Sequence, residues 1–296
     1  PGPFADARVI HEVSKRPAEP LRSAYFASPS SVLNLLKYRN VDDLRFTVSK
    51  SLGSFLDRKA ARGLEAEAKK REQEIEQDTE IRPEAKKRAL KRVRRMLNEG
   101  EQLRKRQAQL LESTLEALRT LGYVEGGGLT EKGNWAAELC TSLVLEIAEA
   151  IQEGLFEDVK EEVLVGLVAS IAGDSHKKYF GIRENPIRKE TYKALQAIVE
   201  RVRKVFTHPG NSEVEVIPDA ATTVITWMEA KNWAEYSSLL HLAGVADGDV
   251  ARLVSQTADH LNQISRLWQS HPELARMAHY AREKILKPPL AEAVLD

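Results

Sequence analysis

Between residues 57 and 120 the chain has no aromatic residue and a single proline, Pro83, and is built mostly from Ala, Glu, Lys, Arg, Gln and Leu. Such a stretch has the composition of long, solvent-bathed helices. It is interrupted once, at Asp78-Thr79-Glu80-Ile81-Arg82-Pro83, where the proline cannot continue a helix but can begin one. The pattern predicts a protruding antiparallel hairpin over 57–111 that turns near 78–83. Its expected seam is thin: Leu90, Val93, Leu97, Leu103, Leu110 and Leu111.

Charge is divided unevenly between the two arms. Residues 65–80 hold three basic and seven acidic groups, a net of minus four. Residues 84–106 hold ten basic and three acidic groups, a net of plus seven, with Lys87, Arg88, Lys91, Arg92, Arg94 and Arg95 closely spaced. Two readings stay open. Either the arms neutralise each other as solvated faces, or the basic face meets a phosphate backbone or an acidic partner.

The rest of the chain is of another kind. At 296 residues, length predicts about two domains, and 42% hydrophobic residues supply a core. The 44 basic and 44 acidic groups cancel, which argues against a globally basic nucleic-acid coat protein. One cysteine, Cys140, rules out an intrachain disulfide and fits a reducing, cytoplasmic setting. No apolar run approaches the roughly 20 residues of a bilayer span, so no membrane partner is expected. The opening Pro1-Gly2-Pro3, without a methionine, is expected of a piece excised from a longer chain.

Residues 1–19 read as a strand, Arg8 to Val13, followed by a connector. Ser28-Pro29 caps a helix with Val32, Leu33, Leu35 and Leu36 on its apolar face, and a second short helix begins near Asp42. After Leu115-xx-Leu118-xx-Leu121 comes Gly122, then two short strands around Gly126-Gly127-Gly128, with Thr130 capping the next helix. Helix, strand, glycine turn, strand is the closing half of a winged helix, which serves DNA binding or plain packing. Beyond Lys132 a helical bundle is expected. One helix runs from Asn134 to Gln152, one opens on the capping box Asp158-xx-Glu161, one on Asn185-Pro186, and others on Pro218, Asn232, Asp247 or Asp249, and Pro272. Trp227 and Trp233 are expected to pack between bundle helices.

Catalytic patterns are not found. Gly128 to Gly133 has the glycine spacing of a phosphate loop but is followed by Asn134 where lysine is required. Asp174-Ser175-His176 has triad residue types without triad geometry. No cofactor or metal is expected on this chain, and no catalytic residue.

Residues 249–268 sort into two faces. Val250, Leu253, Val254, Thr257, Leu261, Ile264 and Trp268 share one side; Arg252, Gln256, Asp259, Gln263 and Arg266 share the other. About 30 Å of helix is long enough to run beside several nucleotides, and Arg and Gln can reach bases from it. On periodicity alone, an ordinary solvent-facing surface is the better account of the polar side.

Four segments together carry a family resemblance. Leu121-Gly122-Tyr123 with Leu129-Thr130-Glu131-Lys132-Gly133-Asn134-Trp135-Ala136-Ala137-Glu138-Leu139 resembles the entry to the DSHCT domain of Ski-type and exosome-associated DExH-box RNA helicases. Val224 to Trp227 with Trp233 to Tyr236, and Gly248-Asp249-Val250-Ala251-Arg252 with Asp259 to Gln263, resemble its final third. Pro20-Leu21 and Ser31 to Leu36 resemble the segment before the winged helix. The resemblance covers about 20–56 and 112–290.

It implies a mainly α chain. A winged helix over 20–56 plus 112–137 is interrupted by an arch-like hairpin over 57–111 and followed by a bundle over 138–296. Residues 1–19 would be left from a preceding motor lobe. It also implies that 249–268 is a ratchet helix whose polar residues Arg252, Gln256, Asp259, Gln263 and Arg266 contact single-stranded RNA, and that Asp174 lies near its path; Arg252 matches a family arginine, whereas Gln256 stands where relatives commonly have a second basic residue. ATP and magnesium belong to the absent motor lobes, with which this region would close a channel. A small β-domain common in the family arch has no counterpart here. Ala230 replaces a family glycine and Asn134 a family arginine, as in a distant, bacterial-type or organellar member. A non-catalytic helical adaptor docking a protein partner on the hairpin, and a winged-helix DNA-binding regulator, are the alternatives.

Overall fold

A computed structural model describes residues 15, 27–78, 81–181, 184–206 and 214–291. The expected strand and connector over 1–19, and Pro20-Leu21, lie outside the described residues. The chain is mainly helical, with one two-stranded sheet among the described residues. Two compact units are distinguished: Thr47–Gln109, and Ala27–Phe46 together with Leu110 onward.

The first unit is built on α3 (Leu52–Gln77) and the first part of α4 (Pro83–Thr120). Ser51 caps α3, its hydroxyl accepting from the Ser54 N–H at 3.2 Å. Pro83 stands at the first position of α4, as its fixed φ favours. The two helices run antiparallel, but their seam is not the leucine stripe. Val93 is buried, whereas Leu90 and Leu97 are 38% and 40% exposed. Small residues carry the contact instead: Ala61 and Ala68 are fully buried, and a Cβ on Gly100 would lie 3.4 Å from the Ala61 carbonyl oxygen. Backbones this close leave no room for leucine between them. The seam also holds a polar cluster, in which the buried Asp57 carboxylate accepts from Gln107 Nε2 at 2.9 Å and Arg106 Nε at 3.1 Å.

The second unit opens with α1 (Pro29–Leu36), capped by Ser28, and then α2 (Val41–Ser49), whose last three residues belong to the first unit. Two contacts tie these early residues to the far end of α4. Thr114 Oγ1 donates to the Ala27 carbonyl at 2.6 Å, and Arg45 Nε meets Glu112 Oε1 at 2.6 Å. The chain then turns at Gly122 (φ 77°) into β1 (Val124–Glu125) and β2 (Gly128–Leu129). These strands are antiparallel, with Val124 opposite Leu129, and Gly126 and Gly127 hold the positive φ angles of a tight turn. Thr130 caps α5 (Glu131–Ala136), accepting from the Gly133 N–H at 3.0 Å.

The expected helix over 134–152 is two. It breaks after α5 and resumes as α6 (Val144–Gln152), because the Thr141 hydroxyl takes the Leu143 N–H at 3.2 Å and so competes with a continuous ladder. The capping box at Asp158 and Glu161 does not form. Asp158 has φ 51°, and α7 (Glu161–Ala172) starts after Lys160 with no side-chain cap. Asn185 Oδ1 accepts from the Ile187 N–H at 3.0 Å, a local turn that delays α8 (Lys189–Val205) past the expected Asn185-Pro186 start.

Helix α7 is the centre of the bundle. Residues 164–170 are buried on every side, as expected of a helix that is apolar all round. Against it pack α9 (Pro218–Glu229), α11 (Asp247–Ile264) and α12 (Pro272–Ile285), with α10 (Trp233–Ala243) against α11. Gly166 allows this closeness: a Cβ there would meet Ile187 Cδ1 and Ile225 Cδ1 at 2.7 Å. Trp227 is fully buried, its indole N–H donating to the Ile285 carbonyl at 2.8 Å, with Trp233 edge-on to it. No helix among the described residues is long and apolar enough to cross a membrane.

Candidate nucleic-acid interface

Helix α11 starts with Asp247 and Asp249 in its first turn, where carboxylates oppose the positive end of the helix dipole. Val250, Leu253, Val254, Thr257, Ala258, Leu261 and Ile264 are buried, and the Thr257 hydroxyl is satisfied by the Leu253 carbonyl at 2.8 Å. The helix ends at Ile264 and not at residue 268. The Ser265 hydroxyl donates to the Asn262 carbonyl at 2.8 Å, and the chain must reverse within a few residues to enter α12 at Pro272. Leu267 therefore fills the place in the core expected of Trp268, which is 52% exposed. Arg266 lies in this turn, past the helix end, and is exposed.

On the polar side, Arg252 and Asp259 are exposed, and Gln256 is half-buried. Gln263 is used inside the fold: its Oε1 accepts from the Cys140 N–H at 3.3 Å. A cavity of about 640 Å³ beside this helix brings Arg252 and Gln256 together with Asp174, Lys177 and His260. Asp259, Gln263 and Arg266 are not among its walls. Three of the six residues expected along the strand thus share one concavity, and three do not.

The loop after α7 shapes the opposite wall. The Asp174 N–H donates to Tyr179 Oη at 2.9 Å, and Asp174 Oδ1 accepts from the His176 backbone N–H at 2.9 Å. That carboxylate oxygen serves the main chain and makes no catalytic pair with the imidazole. Burial pushes the Tyr179 hydroxyl's pKa up. Lys177 Nζ lies 3.1 Å from Asp249 Oδ1 and ties the loop to the start of α11. Among the described residues, neither Arg252 nor Gln256 makes an ion pair or side-chain hydrogen bond, so a cation and an amide face the space unused.

His260 lines the same cavity and was not singled out from sequence. It follows Gln256 by four residues, and the series 249, 252, 256, 260 would have found it. Its Nδ1 pairs with Thr141 Oγ1 at 2.7 Å, and burial lowers its pKa to about 4, so it is neutral near pH 7.

Behind the strand pair, Glu149 is a polar hub. It is 5% exposed and accepts from Tyr123 Oη at 2.6 Å, Lys132 Nζ at 2.5 Å and Arg201 Nη2 at 3.0 Å. Burial and the adjacent carboxylate push the Tyr123 pKa far up. The hub joins the β-turn region to α6 and α8 and positions the bundle's entry.

In the other unit, Lys87, Arg88, Lys91, Arg92, Arg94 and Arg95 are all exposed on α4. The segment Gly128 to Gly133 is a strand and a helix cap, with Thr130 occupying the Gly133 N–H, and does not fit a nucleotide phosphate. No group of three or more His, Cys, Asp and Glu among the described residues is placed to hold a metal ion.

A family model describing the DSHCT (NUC185) domain matches residues 126–293. No curated protein matches the chain.

Proposed function

Because this chain belongs to the DSHCT family, a C-terminal domain of Ski-type DExH helicases, we propose that it is the accessory region of an ATP-dependent RNA helicase. In this reading it completes the channel for single-stranded RNA, and α11 guides the strand. Residues 20–56 with 112–137 act as a winged helix, 57–111 as the inserted arm and 138–296 as the bundle. ATP and magnesium are held by motor lobes outside this chain, and no residue here is assigned to them. A reducing, cytoplasmic setting, which a single cysteine suits, is part of the same reading.

The observation that supports the ratchet role is the pairing of Arg252 and Gln256 over one cavity, both without an ion pair or side-chain hydrogen bond among the described residues. Arg donates to phosphates or stacks on bases, and Gln reaches base edges, so together they grip a strand weakly enough for it to move. Asp174 on the facing wall repels phosphate and keeps the backbone on the arginine side. Asp259 and Arg266, exposed beyond the cavity, are assigned to flanking contacts.

The test is RNA binding by the complete helicase carrying Arg252→Ala with Gln256→Ala. Affinity for a labelled single-stranded RNA is expected to fall about tenfold, the equivalent of about 1.4 kcal/mol. Unchanged affinity would remove α11 from the strand's path.

A further inference from the structure

Seven cations lie between Lys86 and Arg95 on α4, and among the described residues none is in an ion pair. The contrast along the same helix is sharp. Arg104 pairs with Glu65, Lys105 with Glu101 and Arg106 with Asp57. On α3, Arg71 and Lys70 pair with Glu67 and Glu74 of their own helix, while Glu72 and Glu76 bridge to nothing on α4. Among the described residues, the ion pairs between the arms therefore join only 57–65 to 104–106, and the stretch after Pro83 keeps its charge.

The helical turn arranges that charge. With 100° per residue, Val93 and Gly100, both buried against α3, mark one side. Lys87, Arg88, Lys91, Arg94 and Arg95 fall within an arc of roughly 120° on the opposite side, over about 12 Å of axis. Lys87 and Lys91, Arg88 and Arg92, and Lys91 and Arg95 are like charges four residues apart, a spacing that destabilises a free helix. An anionic ligand relieves that repulsion.

The chemistry around the stripe selects the ligand. Residues 57–120 contain no aromatic side chain, so bases have no stacking platform and only sugar–phosphate contacts remain. A protein partner needs an apolar interface centre, often aromatic, and here only the partly exposed Leu90 and Leu97 flank the stripe. We infer that Lys87, Arg88, Lys91, Arg94 and Arg95 bind the phosphate backbone of base-paired RNA, without regard to sequence. The choice of RNA rests on the helicase reading; the charge, spacing and lack of aromatics do not.

The experiment compares three forms of the full helicase: wild type, Lys87→Gln/Lys91→Gln/Arg94→Gln/Arg95→Gln, and Arg252→Ala/Gln256→Ala. Fluorescence anisotropy with a blunt 16-base-pair RNA duplex and with a 20-nucleotide single strand is run from 50 to 200 mM salt. The stripe variant is expected to lose about tenfold or more in duplex affinity, with its log–log salt slope reduced by about three to four. Its single-strand affinity should stay within about threefold, and circular dichroism should show unchanged helix content, since all four sites are exposed. A variant that keeps Arg94 and Arg95 and carries only Lys87→Gln/Lys91→Gln should retain part of the slope. Unchanged duplex binding overturns the inference, and so does an equal loss for duplex and single strand. If the stripe variant loses duplex binding while the α11 variant leaves single-strand binding intact, the stripe stands and the ratchet reading falls.

Discussion

Gln263 Oε1 accepts a hydrogen bond from the Cys140 backbone N–H, 123 residues earlier, at 3.3 Å. The bond spans the link between α5 and α6 and the last turn of α11, so a residue on the polar side of the ratchet candidate serves the fold. Gln263→Ala is expected to lower stability by about 1 kcal/mol, read as a shifted urea midpoint. Single-stranded RNA affinity of the complete helicase should move less than for Arg252→Ala with Gln256→Ala.

Gly133→Ala should be far worse. A Cβ at Gly133 would sit 2.1 Å from the Tyr123 carbonyl oxygen, which itself accepts from the Thr130 N–H at 3.0 Å. Backbone cannot yield there without opening the strand pair. A loss of about 3 kcal/mol is expected in chemical unfolding; Gly63→Ala, where a Cβ meets nothing within 4 Å, is the control and should be neutral or stabilising.

Removing the Glu149 carboxylate leaves the buried Tyr123 hydroxyl without its acceptor and the Lys132 ammonium, 18% exposed, without a counter-charge and with only the Leu121 carbonyl at 2.9 Å. Glu149→Ala is expected to cost about 3 kcal/mol. Lys132→Met in that background should recover part of it, because the stranded charge then goes too. Denaturant titration of the single and double variants measures this coupling.

His260 makes stability depend on pH. Its pKa falls from 6.5 to about 4 on folding through burial, so between those values the unfolded chain binds a proton that the native chain refuses. Stability from this group is full above pH 6.5 and is lost as pH falls toward 4, by about 2 to 3 kcal/mol. Glu146 works in the opposite sense. Burial raises its pKa from 4.5 to about 7, so it favours the native state at low pH and loses that contribution as pH rises through this window. In urea unfolding at pH 7.5 and 4.5, His260→Gln is expected to lose less stability on acidification than wild type, and Glu146→Gln more.

Features written locally in the chain were legible. Ser28, Thr130 and Asn232 cap their helices, Pro83, Pro218 and Pro272 start theirs, and the glycines at 126 and 127 form the turn. What failed depended on distant partners. Thr141 breaks the 134–152 helix while also holding His260, a residue that only folding brings near. The arm's seam was sought among leucines, yet helix approach was decided by Ala61 and Gly100, whose smallness carries no periodic signal. For the candidate site, the helix and Arg252 with Gln256 came from periodicity and family likeness, whereas the withdrawal of Gln263 into a hydrogen bond and the contribution of His260 required the tertiary fold.

The Arg45–Glu112 contact closes a loop of 67 residues within the second unit. Closing that length in one step costs the most entropy, but the intervening chain is a helical hairpin whose arms join in smaller steps, from 39 residues apart at Glu65–Arg104 to 50 at Asp57–Gln107. Winding it first brings the flanking segments back together, so the insertion acts as a built-in splint for the assembly of its host.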